Sequence, residues 1–114
     1  MGFKIKIDTN GSNPDLIKSL LLDGLVDFVS LDFKAPQHKF KQITASHLFK
    51  KFNETLQFLI RFDFPFEVRT TLHSELITQS DVQEMFDYLC NMHYKGKYFL
   101  QNFIDAPETI GKPG

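Results

Sequence analysis

Two kinds of segment take turns along this chain, and their alternation sets the tightest limit on its fold. Phe3, Ile5 and Ile7 alternate with Lys4, Lys6 and Asp8, which is the two-residue period of a strand. Asn13 is suited to cap a helix and Pro14 to open it, since proline has no N–H to leave unpaired there. Leu16, Ile17, Leu20 and Leu21 then recur at helical spacing, and Gly24 ends the run. A second strand is predicted over 27–33, with Val29, Leu31 and Phe33 on one side and Ser30, Asp32 and Lys34 on the other. Pro36 breaks it, and 37–45 reads as an irregular loop.

Ser46 can cap a second helix that carries Leu48, Phe49, Phe52, Leu56 and Leu59. A third strand covers 64–72, with Phe66, Val68 and Thr70 opposed to Glu67, Arg69 and Thr71. Ser80 and Gln83 have the spacing of a capping box, and Val82, Met85, Phe86, Leu89 and Cys90 form the expected buried stripe of the helix that follows. The last strand is expected over 97–103. Residues 105–114, with two prolines and two glycines, are expected to be a loose tail after a single domain spanning 1–104.

The order β-α-β-α-β-α-β implies an α/β fold in which about four strands run parallel through right-handed crossovers. Such a unit is half of a (β/α)₈ barrel or a small open sheet. Fully covered parallel strands are apolar throughout, and the first three strands here are not. One face is apolar and must meet the helices; the other carries Lys4, Lys6, Asp8, Ser30, Asp32, Lys34, Glu67, Arg69 and Thr71. A closed barrel fills its centre with branched aliphatics. A polar lining implies instead a hollow that holds water, a ligand or another polypeptide, because buried unpaired charge is costly. The same pattern also fits a sheet with one solvated face. Asp8-Thr9-Asn10, Asp32, Lys34, Arg69 to Thr71 and Gln101-Asn102 all fall at strand ends, where parallel α/β folds bind ligands.

Composition removes several functions. The formal net charge is -1 and no basic patch with interleaved aromatics occurs, so nucleic acid is not an expected partner. No apolar run is long enough to span a bilayer, and 1–7 is too short and too charged for a signal peptide. Cys90 is the single cysteine; it can neither close an internal disulfide nor hold an iron–sulfur cluster, and it fits a reducing cytoplasm. His38, His47, His73 and His93 show no ligand spacing, which argues against a histidine metal site. The 13 phenylalanines imply an aromatic core, or in part a surface that meets another protein.

The ordered segments IDTNGSNP (7–14), GLVD (24–27), LDFKAP (31–36), EVRTT (67–71) and FLQNF (99–103) resemble the radical S-adenosylmethionine (SAM) activating proteins of anaerobic ribonucleotide reductase and, more distantly, of pyruvate formate-lyase. The resemblance runs from about Phe3 to Phe103 and implies the C-terminal half of a partial TIM-type barrel. In that family a [4Fe-4S] cluster donates an electron to SAM, and the 5′-deoxyadenosyl radical abstracts hydrogen from a glycine of a partner enzyme. The family's C-x-x-x-C-x-x-C loop and Gly-Gly-Glu-type segment are not in this sequence, so the chain is expected to be inactive alone.

By the same resemblance, Asp8 and Thr9 would lie near the SAM carboxylate, and Asp32 and Lys34 beside its ribose and carboxylate. Arg69 would lie in the cavity and Gln101 near the adenosine. The implied partner is a glycyl radical enzyme such as anaerobic ribonucleotide reductase, with a separate cysteine-bearing half or a second copy of the chain as further candidates.

The residues themselves leave other readings open. Asp8 and Asn10 can serve simply to build a turn, and Asp32 with Lys34, or Glu67 with Arg69, can be solvated ion pairs. The functional alternatives are a non-catalytic module that covers its first strand with a partner or with itself, and an unrelated α/β enzyme using Asp32, Lys34 and Glu67 as acid and base.

Overall fold

The computed structural model describes residues 4–43, 47–72, 77–102 and 109–110. Five strands and four helices follow in the order β1 (Lys6–Thr9), α1 (Pro14–Leu22), β2 (Phe28–Asp32), α2 (Gln37–Ile43), α3 (His47–Arg61), β3 (Phe66–Leu72), α4 (Gln79–Asn91), β4 (Tyr98–Asn102) and β5 (Thr109–Ile110). They form an open sheet in which spatial order equals chain order, β1-β2-β3-β4-β5. The first four strands pair parallel, as the alternation predicts, and β5 pairs antiparallel with β4. That last strand falls within 105–114, the stretch expected to be a loose tail.

Local chemistry fixes the helix ends. Asn13 caps α1 by accepting from the Leu16 N–H at 3.2 Å, and Pro14 fills the first turn. At its other end Gly24 has φ 71°, and two bonds, Gly24 N–H to Leu21 O and Leu25 N–H to Leu20 O, close a Schellman motif. The same pair of bonds ends α3 at Asp63 and α4 at His93, both also at positive φ.

Helix α4 starts earlier than the expected Ser80–Gln83 box. Thr78 is its cap: Thr78 Oγ1 accepts from Asp81 N–H at 3.1 Å, and Asp81 Oδ2 accepts from Thr78 N–H at 2.9 Å. Ser80 lies inside the helix and is exposed. The residues 37–43 form α2 rather than irregular loop. Lys39 N–H closes a turn on Pro36 O, and Phe40 buries its ring at the edge of Phe49 with centroids 5.2 Å apart. Tertiary burial therefore stabilises a helix too short to persist alone. Ser46, the expected cap of α3, lies outside the described residues.

Among the described residues the helices cover one face of the sheet. Val29, Leu31 and Phe33 of the second strand region and Val68 of β3 meet Ile17, Leu21, Phe52, Leu56, Leu59, Met85 and Leu89 in one core. Phenylalanine supplies much of it: Phe33 stacks on Phe52 at 4.6 Å, and Tyr88 meets Phe33 and Phe49 edge-on. On α4 the buried stripe is narrower than expected, because Phe86 and Cys90 are exposed. Met85 and Leu89 carry the contact with the core, and each successor is rotated about 100° away. On α1, Ile17 and Leu21 are buried while Leu16 is exposed.

Two buried hydroxyls tie the layers together. Thr55 of α3 donates to Gly11 O at 3.0 Å, in the turn after β1. Thr70 of β3 donates to Phe33 O at 2.7 Å and lies 2.7 Å from the Tyr98 hydroxyl of β4. Gly11 is required in that turn. Its φ is 76°, and a Cβ there would stand 3.2 Å from the Phe52 backbone and from Leu31 Cδ1.

Candidate functional site

Parallel register decides what the other face of the sheet carries. Asp8 lies beside Ser30, Ser30 beside Glu67, Asp32 beside Arg69, Arg69 beside Phe99, and Thr71 beside Gln101. Because alternate residues share a face, Lys6, Asp8, Ser30, Asp32, Glu67, Arg69, Thr71, Phe99 and Gln101 form one surface turned away from the helices. Ser30 is the small residue at its centre and is fully buried. Longer side chains from β1 and β3 meet over it.

Three ion pairs follow from this arrangement. Arg69 of β3 reaches Asp8 of β1 at 3.4 Å. Lys34, just past β2, holds Asp32 at 2.7 Å. Lys6 of β1 stands 3.8 Å from Glu67 Oε2, and Ser30 Oγ donates to the same oxygen at 2.9 Å. The Glu67 side chain is 19% exposed and that of Asp8 66%, so the cluster grades from half-covered at the sheet centre to open at the β1 edge.

Of the residues singled out in the sequence, Asp8, Asp32, Lys34 and Arg69 come together on this face. Gln101 shares the face but stands on β4, level with Thr71 and flanked by β5. Thr9 points elsewhere. Its register partner is Leu31, on the helix side, and its Oγ1 accepts from Gly11 N–H at 3.1 Å. Asn10 builds the turn in the same way, accepting from Ser12 N–H at 2.9 Å. The turn thus uses Thr9 and Asn10, while Asp8 is left to pair with Arg69. Glu67, expected at the site only as an acid–base group of an unrelated enzyme, and Lys6, expected only as part of the polar face, also join the cluster; their signal was the same alternation that marks Asp8 and Arg69.

The helix side is different in kind. A cavity of about 430 Å³ lies between α4 and β4, lined by Val82, Phe86, Leu89, Tyr94, Tyr98 and Leu100 among others. It does not adjoin the charged face. Burial pushes the Tyr98 hydroxyl up to about 12, against the lowering effect of its bond to Thr70 and with a smaller upward contribution from the Asp32 charge. Among the described residues no helix is long and apolar enough to cross a membrane.

No family model matches the chain, and no solved structure matches it. Over 89 residues, 74% of its length, the chain is 27% identical to a protein of Methanocaldococcus jannaschii named "Putative glycyl-radical enzyme activating enzyme". That alignment covers 37% of the relative, so the chain spans well under half of the protein it matches. At the family level, and distantly, the chain is similar to a glycyl-radical enzyme activating enzyme.

Proposed function

We propose that this chain forms the C-terminal part of a radical SAM barrel that activates a glycyl radical enzyme, and that its charged sheet face holds part of the SAM. The observation that carries this reading is the meeting of Asp8, Asp32, Lys34 and Arg69, on or just past three adjacent strands, in two ion pairs on the face that no described helix covers. Exposed pairs of this kind contribute only ~0–1 kcal/mol to stability, so folding alone gives little reason to assemble them.

The donor types fit SAM. Its carboxylate suits Arg69 or Lys34, and its ammonium and ribose hydroxyls suit Asp32 and Asp8. In this reading Asp8 orients the Arg69 guanidinium, Lys34 and Asp32 exchange their mutual contact for the ligand, and Gln101 lies towards the adenosine. Thr9 contributes by shaping the turn after β1. With an electron from a cluster held on another segment, bound SAM would release methionine and supply the deoxyadenosyl group that takes hydrogen from a glycine of the partner, for which anaerobic ribonucleotide reductase is the model.

The family's [4Fe-4S] cluster does not fit the residues present. Cys90 is the chain's single cysteine, and it is exposed on α4, the layer opposite the charged face. Cluster thiolates therefore come from another polypeptide segment. Strand β1 offers the place for it, since it pairs with β2 alone among the described residues and Ile5 beside it is 49% exposed.

Calorimetric titration of the purified chain with SAM tests the reading. Binding is expected, weakened about tenfold or more by Arg69→Ala or Asp32→Ala, with the circular dichroism spectrum unchanged. No binding at millimolar SAM, or binding indifferent to both substitutions, would overturn it. In that case, dimerisation or capture of a cysteine-bearing half through β1 would favour the non-catalytic module.

A further inference from the structure

We propose that His38, Asp81 and Glu84 form a binding site for a first-row divalent cation of the Zn²⁺ type, which would staple α2 to α4. The three residues are far apart in sequence but offer one ligand atom each within 4.8 Å of one another. Asp81 and Glu84 stand three residues apart on α4 and so share one side of that helix. His38 comes from the first turn of α2, with Nδ1 3.2 Å from Glu84 Oε2 and Nε2 3.8 Å from Asp81 Oδ1.

Asp81 is the anchor. Its side chain is 6% exposed, and its Oδ2 accepts from both Thr78 N–H at 2.9 Å and Lys39 Nζ at 2.5 Å. Those two donors fix the carboxylate so that Oδ1 faces His38. Such outer partners are what hold metal-ligating carboxylates in place. Burial pushes the Asp81 carboxyl up, but the Lys39 and Thr78 hydrogen bonds and the Lys39 charge outweigh it and hold the group below its usual range. His38 and Glu84 are half exposed and can close onto an ion by small side-chain rotations.

The donor set selects the cation. An imidazole nitrogen with two carboxylates suits Zn²⁺, Co²⁺ or Mn²⁺, whereas Ca²⁺ and Mg²⁺ take oxygen ligands. Three protein ligands leave a coordination position for water. The site lies in the helical layer, away from the charged sheet face, so it stands or falls independently of SAM binding.

The test is titration of the full chain with Co²⁺, read by visible absorption, and with Zn²⁺, read by thermal midpoint and by the ring resonances of His38. Wild type is expected to bind both ions, to shift its His38 signals and to gain in thermal midpoint. His38→Gln and Glu84→Gln, both at exposed positions, are expected to weaken binding about tenfold or more with unchanged helix content, while His93→Gln and Cys90→Ser bind as wild type. The proposal is overturned by absence of Co²⁺ absorption at millimolar ion, by binding that survives His38→Gln, by loss of binding in His93→Gln or Cys90→Ser, or by an equal thermal shift with Mg²⁺.

Discussion

The Arg69 guanidinium on β3 stands 3.4 Å from the Asp8 carboxylate on β1, across the whole width of β2. The contact is diagonal: Asp8 is level with Ser30 and Arg69 with Asp32, two residues further along β2, and the small buried Ser30 leaves room above it for the reach. Both partners are substantially exposed, so the pair is held in a high effective dielectric. A double-mutant cycle with Asp8→Asn and Arg69→Gln should give a coupling of about 0–1 kcal/mol at low salt, shrinking as salt is added. A coupling of several kcal/mol would show that the face is closed to water.

Thr70 makes the opposite case, a neutral group whose loss should be expensive. Its hydroxyl is fully buried and serves the Phe33 carbonyl and the Tyr98 hydroxyl at once. Thr70→Val keeps the shape but takes the hydroxyl donor from the Phe33 carbonyl and leaves the Tyr98 hydroxyl only its 4.0 Å contact with Met85 Sδ, so it should lower stability by about 1–3 kcal/mol in urea denaturation. Thr70→Ser should recover most of that loss.

Three helices end in the same Schellman geometry, but only one has glycine at the left-handed position. Asp63 has φ 54° and His93 φ 68°, where a Cβ is strained. His93→Gly should therefore raise stability by about 0.5–1 kcal/mol, the relief of strain exceeding the added freedom of the unfolded chain. Gly24→Ala, at φ 71°, should lower it by about 1 kcal/mol. Equal stabilities for the His93 pair would show that its imidazole makes a compensating contact.

Alkaline pH should unfold the protein through its tyrosines. Burial pushes Tyr94 and Tyr98 up to about 12 from the ordinary value of 10.0. A raised value in the folded state means that the unfolded chain ionises first. The contribution of these groups is complete below pH 10.0 and is lost as pH rises towards about 12. Stability measured against pH should be level up to the first value and fall between the two. Tyr98→Phe should start lower, having lost the Thr70 contact, and decline less steeply.

How much of this was legible beforehand differs by level. Lys4 to Asp8, Val29 to Lys34 and Phe66 to Thr71 announce their strands and their two faces, because a period of two needs no knowledge of neighbours. Asn13, Pro14 and Gly24 announce both ends of α1 for an equally local reason. Local reading stumbled where two local solutions compete. Thr78 and Asp81 displaced Ser80 and Gln83 as the capping box. Burial of Phe40 made a helix of a stretch with no strong pattern of its own.

The sequence by itself determined the alternation of elements, the parallel sheet and the existence of a charged face, since each depends on spacing along one segment. Tertiary structure alone decided which charges meet: Asp8 with Arg69, Lys6 with Glu67, and His38 with Asp81 and Glu84. The first two depend on strand register, where a shift of a single residue would send a strand's charged side chains to the other face, and the third depends on how α2 and α4 are placed.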